Sequence, residues 1–138
     1  MTDIKNIFDI SGRAMASQLV RLNTVASNLA NAGTVSGTKE EAFRSLKPVF
    51  ATKFADAFDK TGISTVDVIG IERVDREPVR AHMPSHPSAD ENGYVYRAAV
   101  DENEEMIEMV EASRQYQNNV EVISTLRALM MRTINMGK

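Results

Sequence analysis

The stretch EEMIEMVEASRQYQNNVEVISTLRALMMRTINM, Glu104 to Met136, decides the fold. No glycine or proline falls between Tyr94 and Met136, so nothing there breaks a helix. Met106, Met109, Tyr116, Val120, Ile123, Met130 and Ile134 recur three or four residues apart, with gaps only at Ser113 and Arg127. That spacing lays one stripe along a helix, near the roughly 3.5-residue repeat of a coiled-coil seam. Val110, Leu126 and Leu129 widen the stripe, which predicts more than one neighbour. Acidic residues crowd the start (Asp101, Glu102, Glu104, Glu105, Glu108, Glu111), and Arg114, Arg127 and Arg132 follow. This order suits the helix dipole. A helix from Asn103 to Met136 would extend about 50 Å at roughly 1.5 Å per residue. In a chain of 138 residues, so long a helix needs a partner.

The N-terminus offers one. Asp3 is placed to cap a helix beginning near Ile4. Phe8, Gly12, Met15, Leu19, Leu22, Ala26 and Leu29 then alternate four and three apart. Gly33, in the left-handed conformation, would close this helix near Asn31. Between the helices the pattern changes. Thr34 to Phe43 reads as a loop, Ser45 to Phe54 and Ile63 to Val74 as strands, and a change of phase at Gly70 predicts a bulge. Val79 and Gly93 to Val100 add short strands, and AHMPSHPSADENG between them reads as an exposed loop. Phe43, Phe50, Phe54 and Phe58 are the candidate core of this insert. The expected fold is mainly α. Terminal helices in residues 1–33 and 97–138 pair as a coiled-coil-like hairpin, and residues 34–96 form a small β-rich insert.

Composition narrows the function. The length suits one domain. A formal charge of -3 gives neither a basic footprint for nucleic acid nor a polybasic patch for a membrane surface. Without cysteine there is no disulfide and no thiolate metal site. No apolar run reaches membrane-spanning length. MTDIKNIFDI lacks the basic-then-apolar order of a cleaved secretory signal, which points to a cytosolic chain or one exported with its N-terminus intact. Eight methionines suit adaptable packing against partners. His82 and His86 sit four apart, but Pro84 and Pro87 deny them a shared helical face, so no metal site is expected. The run from Asp101 to Glu111 reads as a solvated helix start. No catalytic constellation and no cofactor motif is present in this reading.

Four stretches carry a resemblance. RLNTVASNLANAGTVSG, Arg21 to Gly37, resembles the N-terminal signature of the axial proteins of the bacterial flagellum, whose first helix ends in an SNLAN or NNLAN core. EMIEMVEASRQYQNNVEVISTLRALMMRTINMG resembles their C-terminal signature, with an ASRxYQxNVE core at Ala112 to Glu121. HPSADENGYV, His86 to Val95, together with FDISG at Phe8 to Gly12, is similar to the short proximal-rod members of that family.

The resemblance implies a structural rod subunit, with no enzymatic activity and no cofactor. Its two terminal helices would pair and pack against neighbours, through Phe8, Met15, Leu19, Leu22, Ala26, Asn28, Leu29 and Asn31 on the first. On the second, Met109, Tyr116, Val120, Ile123, Met130 and Ile134 would serve. The implied partners are copies of the chain, other rod subunits, and membrane-ring and export-gate-adjacent proteins at the rod base. Nucleic acid and direct membrane insertion are not implied. The implied location is the periplasmic rod of the basal body, reached by flagellar type III export without signal cleavage, where the rod transmits torque and encloses the export channel. Two rival readings are a small cytoplasmic helical adaptor or secretion chaperone, and an enzyme built around His82 and His86.

Overall fold

Residues Thr2–Asn31 form the helix their spacing demands, but they bury a different line of side chains from the apolar one. A computed structural model of the chain describes residues 2–54 and 64–137. In chain order the elements are α1 (Thr2–Asn31), β1 (Val35–Ser36), β2 (Leu46–Phe54), β3 (Ser64–Arg73), β4 (Val79–His82), β5 (Tyr94–Arg97) and α2 (Glu102–Met136). Helix α1 is already formed at Thr2, so Asp3 lies inside it rather than capping it. It ends at Asn31 as expected, though without a left-handed Gly33: Gly93 alone has positive φ among the described residues. Instead the chain turns on backbone bonds from Ala32 to Leu29 and from Thr34 to Asn31. Helix α2 starts under a side-chain cap, Asp101 Oδ1 accepting from the amides of Asn103 (3.0 Å) and Glu104 (3.2 Å).

The insert carries two antiparallel sheets. Strands β2 and β3 form a long hairpin in which Val49 faces Gly70 and Phe50 faces Val68. Ile69 is therefore the extra residue of a bulge beside Gly70, where the sequence changes phase. The second sheet has the order β1-β5-β4. Its β4–β5 connection is the HPSADENG segment, which folds as a tightly bonded turn. Asp90 Oδ1 accepts from the amides of Asn92 (2.9 Å) and Tyr94 (2.8 Å), and Gly93 turns the chain at φ 76°. A Cβ at Gly93 would lie 2.9 Å from Pro84 Cβ, so the position is closed to side chains for steric reasons as well. Of the four phenylalanines expected in an insert core, Phe43 is half-buried and Phe50 exposed, while the side chains of Phe54 and Phe58 lie outside those described.

The core sits where the end of α1, the Ala42–Ser45 segment, β5 and the start of α2 converge. Val25, Ala32, Ala42, Val95, Ala98, Ala99 and Ala112 are its buried apolar residues, with Asn28, Ser45 and Glu105 buried among polar ones. Backbone bonds lace it: Ala99 to Phe43 O (2.7 Å), Ala98 to Thr34 O (3.0 Å) and Val74 to Ser45 O (2.8 Å). These are small side chains, so the backbones approach closely.

This overturns the mainly α, coiled-coil-like reading. Five strands in two antiparallel sheets make the chain α+β, and the two helices, though antiparallel and in contact, do not interlock along an apolar seam. A coiled coil seats large apolar knobs in facing holes. Here the buried positions of α2 are only Glu105 and Ala112, and those of α1 include Ser11, Ser17, Thr24 and Asn28. Helix α1 also gives a face to the hairpin, with Ser17 Oγ donating to Val66 O (3.1 Å). One helix shared between two partners cannot give its whole stripe to either.

Candidate assembly interface

Polar side chains set the register of the helix pair. Gln18 Nε2 donates to Gln115 Oε1 (2.9 Å), whose own Nε2 donates to Glu111 Oε1 (2.7 Å). One turn along, Arg21 Nε donates to Glu108 Oε2 (2.9 Å). Moving up α1 from Gln18 to Arg21 moves down α2 from Gln115 to Glu108, which makes the pair antiparallel. Gln18 Oε1 is buried with no hydrogen-bond partner among the described residues. Beyond the pair, Glu104 accepts from Arg76 (2.7 Å) and Lys47 (3.0 Å), tying the start of α2 to the insert. The Arg76 guanidinium, then Lys47, holds the Glu104 carboxyl below its ordinary range. In the β4–β5 turn the Tyr94 amide does the same to Asp90.

The candidate interface residues fall into three groups. Asn28 is fully buried at 0% exposure, and its amide makes both bonds to the Leu46 backbone, donating to O and accepting from N–H at 2.8 Å each. It locks α1 to β2 within the chain, and Asn31 donates back to Ser27 O (2.8 Å). Phe8, Met15, Leu22, Leu29, Met109, Tyr116, Ile123 and Met130 are half-buried. Leu19 (45% exposed), Ala26, Val120 and Ile134 face solvent. Met106, Ile107, Val110, Val122, Leu129, Met131 and Met136 are exposed as well, Ile107 at 70% and Met136 at 85%. Sequence reasoning missed Ile107, Val122, Met131 and Met136 because they lie off the heptad line. It also missed the Gln18–Gln115 and Arg21–Glu108 pairs, since a polar residue gives no periodic signal. This exposed apolar surface makes α2 the candidate interaction surface.

His82 ends β4, and His86 lies in the turn that follows. His82 packs its ring against Tyr94 (centroids 4.8 Å apart), and His86 Nδ1 accepts from the Ser88 amide (3.1 Å). Among the described residues no group of three His, Cys, Asp or Glu side chains converges as a metal would need, and no helix is long and apolar enough to cross a membrane.

Comparison with known proteins agrees at both ends of the chain. Residues 8–37 match the family model described as flagella basal body rod protein, and residues 91–136 match the model described as flagellar basal body rod FlgEFG protein C-terminal. The flagellar basal-body rod protein FlgC of Escherichia coli O157:H7 is 40% identical over 133 residues, spanning 96% of this chain and 97% of its own. The FlgC proteins of Salmonella typhimurium strain LT2 (39%, 96% and 97% of the two chains) and Aquifex aeolicus strain VF5 (32%, 100% of both) are similar over nearly all or all of the chain.

Proposed function

Because the chain belongs to the flagellar basal-body rod protein family and is a structural subunit of that rod, we propose that it assembles through the faces of α1 and α2 left open in the single chain. Its neighbours are copies of itself and other rod subunits, and at the rod base the membrane-ring and export-gate-adjacent proteins. The assembled helices form a tube that transmits torque and encloses the export channel. The chain reaches the periplasmic part of the basal body by export without signal cleavage. The supporting observation is the exposure of Leu19, Ala26, Val120 and Ile134, which lie on the stripes yet are only partly covered among the described residues.

Aspartate at Leu19 or Val120 tests this cleanly, because neither is buried in the subunit. Each variant should still fold, losing about 1–2 kcal/mol because a partly covered apolar side chain is replaced within a helix. On assembly it would bury an uncompensated charge, at a cost of about 3 kcal/mol or more. Rods should be missing from such cells and swimming lost. Normal swimming with both aspartates present would overturn the assembly reading.

A further inference from the structure

Asn92 is the only asparagine of the chain followed by glycine. Asparagine is a chemically labile residue, and a following glycine leaves the next amide nitrogen unshielded by any side chain. That nitrogen can attack the asparagine side chain. A bond forms from Gly93 N to Asn92 Cγ, the bond from Cγ to the side-chain nitrogen breaks, and ammonia leaves with the Gly93 amide proton. Water then opens the cyclic imide at either carbonyl. Opening at Cγ gives aspartate. Opening at the backbone carbonyl gives isoaspartate, whose main chain runs through the side-chain carbons.

The folded turn holds the atoms this reaction needs. The Gly93 amide donates to Asp90 O (2.9 Å), and Gly93 O accepts from the Met83 amide (2.8 Å). On either side, the amides of Asn92 and Tyr94 are fixed on Asp90 Oδ1. Asn92 itself is exposed, so burial does not protect it; the engagement of the attacking N–H does. Freeing that N–H means moving the start of β5, where Val95 is buried at 0% exposure. The turn is thereby tied to the core and opens rarely.

We propose that Asn92 is a deamidation site gated by folding: its side-chain amide reacts in the unfolded chain and is held inert once the Asp90–Tyr94 turn closes. The inference concerns one turn of a single chain and does not rest on the assembly reading. Isoaspartate at this position lengthens the main chain by one carbon. Gly93 could then not keep both backbone bonds while clearing Pro84 Cβ and His82 Nε2, which stand 2.9 and 3.2 Å from where its own Cβ would lie. A chain left unfolded for long enough is barred from completing its insert.

The purified chain is incubated at mildly alkaline pH, native and in concentrated guanidinium chloride. Peptide mass spectrometry that separates asparagine, aspartate and isoaspartate follows residue 92. Conversion should be at least roughly tenfold slower in the native chain, because it waits on opening of the turn. Asp90→Ala keeps the Asn92–Gly93 pair and removes the acceptor of its flanking amides. It should match the parent chain in denaturant and convert several-fold faster than the parent when native. Asp90→Asn keeps an acceptor oxygen and should stay close to the parent in both states. Equal rates with and without denaturant, or no conversion in denaturant, would overturn the proposal. So would an Asp90→Ala chain that is native by circular dichroism and converts no faster than the parent. A second measurement needs no variant: in rising, sub-denaturing guanidinium chloride, conversion at Asn92 should accelerate together with hydrogen exchange of the Gly93 amide. Faster exchange with an unchanged conversion rate would show that the turn is not the gate.

Discussion

Asn28 offers the sharpest test of how this fold is held. Its side chain spans from α1 to β2 and satisfies both polar groups of one backbone residue, Leu46, at 2.8 Å each. Asn28→Ala orphans an N–H and a C=O together. Each orphaned group costs about 1–3 kcal/mol when shielded, and Leu46 is only half-buried, so water recovers part of this. The net loss should be about 2–4 kcal/mol. At about 3–5 °C per kcal/mol for a chain of this size, that lowers the melting midpoint by roughly 6–20 °C. Asn28→Asp refines the test. The carboxyl keeps the acceptor for the Leu46 N–H but sets oxygen against the Leu46 carbonyl, where the amide donated. Burial and the facing carbonyl raise the folded pKa of the introduced carboxyl above its unfolded value near 4. Its contribution is then fully retained below that value and lost as pH rises through the folded pKa. The Asp variant should therefore sit closer to the parent chain at pH about 4 than at pH about 7, as read from urea midpoints at each pH. An Ala variant within about 0.5 kcal/mol of the parent, or an Asp variant with no pH dependence of the difference, would refute the clamp.

Gly93→Ala should cost about 2 kcal/mol by thermal unfolding, from the left-handed backbone and the 2.9 Å approach to Pro84; no change would mean the turn relaxes freely. Glu104 has a folded pKa held below its unfolded value, so its pairs with Arg76 and Lys47 stabilise above pH about 4 and are lost as pH falls through the depressed pKa. Glu104→Gln should lower stability at neutral pH by less than about 1 kcal/mol, because the pairs are exposed, and should make the acid limb shallower; an unchanged acid limb removes the linkage. Hydrogen exchange on the dilute subunit should be slowest over residues 24–32 and 95–115, where the buried residues cluster, and fast over 117–136 and in the β2–β3 hairpin. Strong protection at the end of α2 in a dilute monomer would mean that segment is ordered without neighbours.

The helices and the hairpin were legible because their signals are local. A gap-free helical stretch, alternating strand residues and a phase slip at Gly70 each act within a few positions. Which side of each helix is covered is a tertiary matter, and there the coiled-coil-like pairing does not hold. The stripe through Leu19, Ala26, Val120 and Ile134 was read correctly as spacing, but the chain does not bury it. The buried line of α1 runs through Ser11, Thr24, Val25 and Asn28 instead, because alanines and short polar residues let the backbones approach and leave room for paired amides. Periodicity weighs apolar size, so it follows the bulky stripe and overlooks the small one. The turn at Asp90–Gly93 was read as loop for its composition, and its order comes from two amides converging on one carboxylate, a detail no pattern of hydropathy contains.

The polar pairs explain why a subunit of this kind can leave its apolar residues outside. A helix pair joined only by similar apolar side chains, repeating every seven residues, can slip by a heptad with little loss. Gln18–Gln115 and Arg21–Glu108 cannot, since a slip would strand an amide and an ion pair in a partly buried interface. Register is thereby fixed by groups that contribute little net stability, and the alanine-rich core closes over a short length. The remaining methionines, leucines and isoleucines of α2 need not hold the monomer together. They stay available to neighbours, and because α2 is one helix from Glu102 to Met136, the position of its exposed end is set by the register of its buried start. An error of one turn at Gln115 would displace the far end by about 5 Å, enough to miss a neighbour's patch.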